Sequence, residues 1–262
     1  MKALQLLSLL PRRPMEFIDR TSAIFSSRWE SVRVARPNYE AISPEEARRR
    51  LSRGVGSDVD TRLGEPALAC VESEILERRS KLPAEASFGA FHDGDSLLGR
   101  FCYLAGRTLK AKVIVETGVC YGVTSSYLLQ ALKENGPGAL HSIDLPPLSK
   151  SGDDYVGWLV PSELRERWTL HRGTSRRLLP PLLHQLGQID MFVHDSLHTH
   201  GNMKMEFAAA WPALRPGGVL ISDDIEGNRA FLELARRDEV AFSAVVREGN
   251  KNALLGIAVK RA

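Results

Sequence analysis

The sequence predicts an α/β fold: a doubly wound, mostly parallel seven-stranded sheet with a C-terminal antiparallel hairpin, plus a helical N-terminal extension. Three observations support this prediction. From Ser96 onward, strand-like and helix-like apolar patterns alternate with short connections, which is typical of a parallel sheet covered by helices. Two predicted core strands end in acidic residues. The last two strand-like runs flank Glu248–Asn252, whose glycine and asparagines are typical of a hairpin turn.

The individual elements follow from apolar spacing and from start and stop signals. One helix begins at Ser43, where an N-cap serine precedes Pro44 and two acids, and it continues to about Arg53. Further helices are predicted at Pro66–Ser80, Ser96–Lys110, Val123–Lys133, Pro161–Arg167, Ser175–Leu186, Gly201–Leu214 and Asn228–Asp238. Strands are predicted at Lys112–Glu116, Ala139–Asp144, Thr169–His171, Asp190–Val193, Gly218–Ser222, Val240–Arg247 and Ala253–Lys260.

Composition indicates an ordinary globular protein. The chain has 262 residues, of which 43% are hydrophobic and 26% charged, so it is long enough to bury a full core. The apolar stretch Ala3–Leu10 is short and runs into Pro11 and two arginines, so we predict no signal peptide, no transmembrane segment and a cytoplasmic location. The three cysteines are widely spaced, which argues against a disulfide framework or a thiolate zinc site.

Positive charge is concentrated near the N-terminus. Residues 1–54 contain 11 Lys and Arg against 6 Asp and Glu, whereas the whole chain has a net charge of only +3. The arginines of this arm are Arg12, Arg13, Arg20, Arg28, Arg33, Arg36 and Arg48–Arg50. A solvated helical arm explains them best, and an anionic partner such as a membrane surface, a nucleic acid or a nucleotide-linked substrate is the alternative. Because no nucleic-acid motif or aromatic interleaving accompanies them, nucleic acid is not the expected partner.

Carboxylates stand where two predicted core strands end. Asp195 ends the first of these strands, and Asp223 and Asp224 end the second. His198 follows the first acid by three residues. Because the carboxyl ends of parallel strands meet at one edge of a sheet, these side chains could share a hard cation, and oxygen ligands suit Mg²⁺ or Mn²⁺. This arrangement predicts an enzyme.

A glycine-rich turn follows the first predicted strand. Its sequence, Glu116–Thr124, has the form E-x-G-x-x-x-G-x-T and leads into a helix. Gly118 and Gly122 would let the backbone turn sharply and approach a ligand, and the helix start offers N–H groups to an anionic group. The turn is not a P-loop, because no Gly-Lys-Ser/Thr follows, and it lacks the G-x-G-x-x-G spacing of dinucleotide-binding proteins. Pyrophosphate binding is therefore disfavoured.

Asp144 ends the second predicted strand, 22 residues after Gly122. An acid at this position can accept hydrogen bonds from the ribose hydroxyls of an adenosine-bearing cofactor. A solvated strand-end acid before Pro146 is the alternative. The turn Gly173–Ser175 follows the third predicted strand at the same edge.

Together the glycine turn, Asp144, the Gly173–Ser175 turn and the closing hairpin resemble the class I S-adenosylmethionine-dependent methyltransferases, which have a Rossmann-like sheet. The likeness covers roughly residues 96–262, so it implies an S-adenosylmethionine-binding catalytic domain there and an arm and lid over residues 1–95. The resemblance makes these residues candidates for the cofactor site: Glu116, Gly118, Gly122, Thr124, Asp144, Gly173, Thr174 and Ser175. The family's commonest turn has a third glycine where this chain has Cys120, and the present form is similar to that of catechol-type O-methyltransferases.

The segment Asp195–His200 resembles the D-G-x-H-S-Y segment of a bacterial D-x-x-H methyltransferase group. In catechol-type and sugar O-methyltransferases that depend on metal, acids after the fourth and fifth strands ligate Mg²⁺. The resemblance therefore implies magnesium ligation by Asp195, Asp223 and Asp224, although relatives with this segment do not all need a metal. His198 stands where catechol-type enzymes carry a lysine base, so we expect it to be the catalytic base. His194, His200 and His141 are weaker candidates.

These features predict an O-methyltransferase, assisted by Mg²⁺, that acts on a hydroxyl of a small molecule such as a sugar or a phenolic natural product. The N-terminal arm and the loop Phe88–Asp95 are expected to form the acceptor lid. Two alternatives remain: a methyltransferase for RNA or protein that uses the basic arm, and a non-catalytic relative that only binds the cofactor. A dehydrogenase is disfavoured by the glycine spacing. The N-terminal helices could also pack between subunits of a homo-oligomer.

Overall fold

A seven-stranded sheet forms the centre of the protein. The computed structural model describes residues 2–33, 36–83, 96–148, 152–247 and 253–262. The strands are Val113–Thr117 (β1), Ala139–Asp144 (β2), Trp168–Arg172 (β3), Ile189–His194 (β4), Leu214–Ser222 (β5), Val240–Arg247 (β6) and Leu254–Lys260 (β7). They lie in the order β3, β2, β1, β4, β5, β7, β6. Strands β1 to β5 are parallel, and β7 runs antiparallel to both β5 and β6, which confirms the predicted fold class.

The helices occupy nearly all the positions that the sequence predicts. They are Lys2–Leu7 (α1), Pro14–Arg33 (α2), Pro44–Val55 (α3), Pro66–Ser80 (α4), Ser96–Thr108 (α5), Val123–Asn135 (α6), Ser175–Leu186 (α7), His200–Ala213 (α8) and Ala230–Ala235 (α9). Local chemistry sets the ends of α3. Ser43 accepts a hydrogen bond from the amide of Glu46 at its start, and Gly56 ends it with a left-handed backbone at φ +69°.

Apolar side chains alternate between the two faces of the sheet, so the core has two layers. Ile114 of β1 belongs to the layer that contains buried residues of α3, α4, α5 and α6. Its neighbour Val115 belongs to the other layer, with buried residues of α7, α8 and α9. Because α3 and α4 of the N-terminal arm share the first layer with α5 and α6, that part of the arm is built into the core of the predicted domain.

Three predictions differ from the structure in detail. The stretch before β3 is a 3-10 helix, Ser162–Arg167, in place of an α-helix. Strand β5 begins at Leu214 and not at Gly218, because Leu214 pairs with Ile189 ahead of an irregularity in the ladder. The last helix shortens to six residues because Asn228 has an extended backbone and accepts the amide N–H of Ala230 through its own side chain. The hairpin turn Glu248–Asn252 and the loop Phe88–Asp95 lie outside the described residues.

The basic arm is partly neutralised by its own acids. Arg13 and Arg20 form ion pairs with Glu16, and Arg48 pairs with Asp60. Glu46 is the partner of three further arginines, Arg49, Arg50 and Arg53. These pairs favour a solvated arm over an open basic surface. Within the described ranges, every helix is too short or too polar to cross a bilayer.

Candidate functional site

The carboxyl ends of β1 and β4 lie side by side at the centre of the sheet. The chain leads from β1 to β2 on one side and from β4 to β5 on the other, so the strand order reverses between them. In open α/β sheets such a reversal leaves a crevice in which ligands bind. The amide of Asp195, just after β4, donates to the carbonyl of Thr117 at 2.8 Å. The glycine turn and the strand-end acids therefore meet at one place.

Both glycines of the turn are required by close packing. Gly118 has φ +84°, and a Cβ built there would overlap the carbonyl oxygen of Asp195. Gly122 has φ +89°, and a Cβ would lie 2.8 Å from the Cα of Gly157 and 2.8 Å from a methyl carbon of Val160. A larger side chain would push the turn away from β4 or from the segment beyond β2.

Glu116 lies beneath this turn and is fully buried. Its Oε2 accepts hydrogen bonds from the hydroxyls of Ser125 and Ser142, each at 2.7 Å. Its Oε1 has no hydrogen-bond partner within the described part of the chain. Burial raises the pKa of Glu116 to about 7. Thr124 is also buried, in the first turn of α6, so both predicted cofactor residues are covered by other protein atoms.

Asp144 holds the turn from the other side. Its Oδ1 accepts a hydrogen bond from the amide of Val119 at 3.2 Å. Its Oδ2 is buried, and no donor among the described residues reaches it. Burial raises the pKa of Asp144 to about 6, against the opposing effects of the Val119 N–H and of Arg20. A buried carboxylate oxygen without a donor is costly, and a ligand hydroxyl would relieve that cost.

The residues of the turn after β3 contact different parts of the protein. The amide of Gly173 donates to the carbonyl of Asp144 at 2.8 Å, so Gly173 lies beside the crevice. The Thr174 hydroxyl lies 3.2 Å from a carboxylate oxygen of Asp19 in α2. Ser175 points elsewhere, because its hydroxyl lies 3.5 Å from the side-chain oxygen of Asn202 in α8. The structure thus places Gly173 and Thr174 near Asp144 and turns Ser175 towards α8.

The three strand-end carboxylates and His198 form a cluster on the β4 and β5 side. His198 Nε2 lies 3.8 Å from Asp195 Oδ1 and 3.7 Å from Asp224 Oδ2. Asp224 has a left-handed backbone, φ +46°, which is uncommon outside glycine. Burial, followed by the charges of Asp223 and Asp224, raises the pKa of Asp195 well above its usual range. The predicted acids therefore lie close enough to repel one another.

This cluster fits a hard cation in its chemistry but not as a preformed site. All three carboxylates offer oxygen ligands, and Asp223 Oδ1 is buried with no hydrogen-bond partner in the described ranges. Across those ranges, however, no group of three His, Cys, Asp or Glu side chains is arranged to hold a metal ion. Magnesium ligation by Asp195, Asp223 and Asp224 therefore stays a prediction. The imidazole of His198 lies within 4 Å of two of these carboxylates.

The segment that contains the candidate residues is similar in sequence to a known protein family. Residues 115–225 match the sequence model of a family described as a methyltransferase domain. Over this segment the chain is similar to a methyltransferase domain. The matched segment runs from β1 to the end of β5 and contains every candidate residue named above. No curated protein matches the sequence.

Solved methyltransferase structures share the fold of this chain. The O-methyltransferase TomG from Streptomyces achromogenes, involved in tomaymycin synthesis and solved with SAM, has a TM-score of 0.55 at 21% identity, covering 76% of this chain and 91% of its own. An O-methyltransferase from Bacillus cereus in complex with SAH has a TM-score of 0.53 at 20% identity, with coverages of 75% and 91%. The SAH-bound methyltransferase PaMTH1 from Podospora anserina scores 0.52 at 13% identity, with coverages of 86% and 100%. At these identities the likeness concerns the fold alone.

Sequence reasoning missed Glu206, a fully buried acid in α8. Its Oε2 lies 2.7 Å from Nδ1 of His194 and accepts the hydroxyl of Thr117 at 2.6 Å. Its Oε1 accepts the hydroxyl of Ser196 at 2.7 Å and an amide proton of Asn202 at 2.9 Å. Glu206 thereby joins the end of β1 to the loop after β4. One feature of the sequence could have indicated a buried acid here: Glu206 lies about two turns into the helix after the acidic loop, among residues that are mostly small or apolar.

The weaker histidine candidates take structural positions. His194 is fully buried, and its ring meets the ring of His198 edge-on at 5.3 Å. His200 Nε2 lies 3.0 Å from Glu233 Oε1, and His141 stacks on His171 at 5.6 Å. The His198 side chain, by contrast, lies within 4 Å of the carboxylates of Asp195 and Asp224.

Helix α2 of the arm crosses this edge of the sheet. Glu16 accepts a hydrogen bond from Arg172 at the end of β3, at 2.8 Å. Arg20 donates to the carbonyl of Pro146, two residues after Asp144. Glu30 accepts the backbone N–H of Gly201 at the start of α8, at 3.0 Å. The arm therefore spans the crevice ends of β2 and β3 and the loop after β4, where the sequence places a lid.

Proposed function

We propose that this protein is an S-adenosylmethionine-dependent O-methyltransferase that acts on a hydroxyl of a small molecule such as a sugar or a phenol. The observation that carries the proposal is Asp144 Oδ2, a buried acceptor without a donor among the described residues, beside a glycine turn at the reversal of strand order. A ribose hydroxyl is the ligand group that this oxygen suits. The solved neighbours that carry SAM or SAH support the same cofactor.

The chain's own residues would hold the cofactor in two parts. The turn that contains Gly118 and Gly122 would bind one part, with the buried Glu116 and Thr124 next to it in the chain. Asp144, Gly173 and Thr174 would line the other part, where the Gly173 N–H donates to the Asp144 carbonyl. Bound S-adenosylmethionine supplies an electrophilic methyl group to an oxygen nucleophile.

His198 is the proposed base. Its Nε2 would take the proton of the acceptor hydroxyl, which makes that oxygen a better nucleophile. The imidazolium that results would be stabilised by Asp195 and Asp224, whose oxygens lie 3.8 Å and 3.7 Å away. At these distances the charges of Asp195 and Asp224 orient the His198 ring. Neither carboxylate is close enough to hold the Nε2 proton in a hydrogen bond, so His198 can exchange that proton with a substrate.

Magnesium is the finer part of the proposal. Asp195, Asp223 and Asp224 would hold it, since carboxylate oxygens are the right ligand type and Asp223 Oδ1 is a buried acceptor. The ion would stabilise the deprotonated acceptor as a Lewis acid. Without the ion, His198 would neutralise the same carboxylates.

The test has a binding arm and a turnover arm. Calorimetry with S-adenosylmethionine should give a 1:1 complex, and Asp144→Asn should weaken it by roughly 10- to 100-fold, the usual loss for a hydrogen bond to a charged group. Labelled methyl transfer to a panel of sugars and phenols, with added Mg²⁺ or with EDTA, then identifies the acceptor class. Tight binding of NAD in place of S-adenosylmethionine would overturn the proposal.

A further inference from the structure

Helix α2 has its polar and apolar faces reversed relative to an ordinary surface helix. Its acids face the protein: Glu16 pairs with Arg172, Asp19 with Arg177, and Glu30 accepts a backbone N–H of α8. A surface helix normally buries its apolar stripe and exposes its charges. In α2 no side chain from Pro14 to Glu30 is fully buried, although the helix lies on the protein along most of its length.

Four large apolar side chains of α2 are well exposed. Met15 is 49% exposed, Ile18 52%, Phe25 69% and Trp29 62%. With the exposed Ser22 they recur at alternating intervals of three and four residues, 15, 18, 22, 25 and 29. This is the spacing of the a and d positions in a helix that packs along another helix, and it makes a narrow seam.

We propose that this seam binds the same seam of a second copy of the chain, with the two α2 helices antiparallel about a two-fold axis at Ser22. The pattern itself points to a second copy, because the seam is nearly symmetric about Ser22. An antiparallel pair would place Met15 opposite Trp29 of the second copy, and Ile18 opposite Phe25. Each aliphatic side chain then meets an aromatic one, and the small Ser22 lets the helices approach at the axis. A two-fold interface needs this kind of self-complementary surface.

The exposed area is sufficient for a dimer. Three further leucines near the N-terminus, Leu4, Leu7 and Leu10, are 74%, 54% and 46% exposed. Seven large side chains that are each about half exposed present on the order of 700 Å² in all. A standard interface buries roughly 800 Å² on each partner, so the α1 and α2 surface is close to what a stable dimer requires.

A lipid surface is the competing occupant, and the structure disfavours it. A helix that lies on a membrane has a broad apolar face bordered by free basic residues. Here the seam is narrow, and Arg13 and Arg20 are engaged by Glu16. Vesicle binding is therefore an outcome that the test must distinguish from self-association.

The first experiment measures the mass of the full-length protein by light scattering over a range of concentrations. Wild type should be a dimer. Phe25→Glu should be mainly monomeric, with a dimer dissociation constant at least roughly 30-fold higher, as expected for the loss of an interface anchor. The matched control is Ile24→Glu. Ile24 is 45% exposed in the same helix but lies about 130° from the centre of the seam, so its variant should remain dimeric. Circular dichroism of each variant establishes that the fold is retained.

The second experiment tests the antiparallel arrangement. In a Cys70→Ser background, which removes the exposed native thiol, Ser22→Cys should form a disulfide-linked dimer under mild oxidation. Met15→Cys should not link to itself but should link to Trp29→Cys when the two proteins are mixed. A wild-type protein that stays monomeric at all concentrations would overturn the proposal. So would a dimer that persists in Phe25→Glu, or a monomer that binds anionic vesicles through this seam.

Discussion

His194 and Glu206 form a fully buried pair, with Nδ1 of the histidine 2.7 Å from Oε2 of the glutamate. The pair lies directly beneath the candidate site. The same carboxylate binds Thr117, which precedes the glycine turn, and Ser196, which follows Asp195. One side chain thus fixes the relative position of the proposed cofactor and acceptor sides. Such a network is costly to break, because a single change leaves several buried polar groups without a partner.

Glu206→Gln should therefore destabilise the protein by on the order of 3 kcal/mol, measured by urea unfolding at pH 7. Despite the opposing effect of burial, the charge and hydrogen bond of His194 lower the pKa of Glu206 to about 2. A carboxylate with a depressed folded-state pKa contributes stability above its unfolded value, near 4.5, and loses it as the pH falls towards 2. Wild type should lose this part of its stability in that interval, and the variant should not.

Glu233→Gln is the control for this prediction. Glu233 forms ion pairs with His200 and Lys204, but it is 43% exposed, so its removal should cost less than about 1 kcal/mol. If both variants lost the same stability, the buried network would have no special role.

The sequence predicts the fold well because the fold depends on repeating patterns. Alternating apolar runs locate all seven strands, most within one or two residues of the observed ends. The site is predicted less completely. The clustering of the strand-end acids can be predicted from the sequence, since every parallel strand brings its last residue to the same edge of the sheet. The role of Glu206 cannot be predicted in this way, because its hydrogen-bond partners Ser196 and Thr117 lie 10 and 89 residues away in the chain. Likewise, the position of His198 relative to Asp224 depends on a left-handed backbone at Asp224 that nothing in the sequence specifies.

Asp144→Asn should increase stability while it weakens cofactor binding. Burial raises the pKa of Asp144 to about 6, so its negative charge is unfavourable in the folded protein at pH 7. Between its unfolded value of 3.8 and about 6 the folded state binds the extra proton, and stability from this group falls as the pH rises through that interval. At pH 7 the free energy of unfolding of the amide variant should be about 1 to 2 kcal/mol higher than that of wild type. Thermal melts should also show a smaller stabilisation of the variant by S-adenosylmethionine than of wild type. An equal ligand shift in both proteins would remove Asp144 from the cofactor site.

Gly118→Ala should disrupt the junction between the glycine turn and β4. A methyl group there would overlap the Asp195 carbonyl oxygen, in addition to the strain of φ +84°. We expect a loss of roughly 3 kcal/mol or more in stability and loss of measurable S-adenosylmethionine binding. Gly56→Ala is the matched control, because Gly56 has φ +69° but nothing within 4 Å of the added carbon. It should cost only the backbone strain, about 1 to 2 kcal/mol, and leave binding intact.

Asp195→Ala and His198→Ala separate the two explanations of the acidic cluster. If His198 is the base, His198→Ala should lower kcat by roughly 100-fold or more at pH 7 and leave the calorimetric affinity for S-adenosylmethionine unchanged. Raising the pH should restore part of the rate with a phenolic acceptor, because the acceptor then ionises by itself. An unchanged rate at pH 7 would count decisively against the base.

The metal is tested on the same variants. If Mg²⁺ participates, excess EDTA should abolish turnover of wild type, added Mg²⁺ or Mn²⁺ should restore it, and Asp195→Ala should not respond to either ion. If His198 alone neutralises the carboxylates, EDTA should have no effect, because no ion is needed to balance Asp195 and Asp224. Full activity in EDTA together with a large loss in His198→Ala would assign the cluster to histidine chemistry. Loss of activity in EDTA with a mild effect of His198→Ala would assign it to the metal.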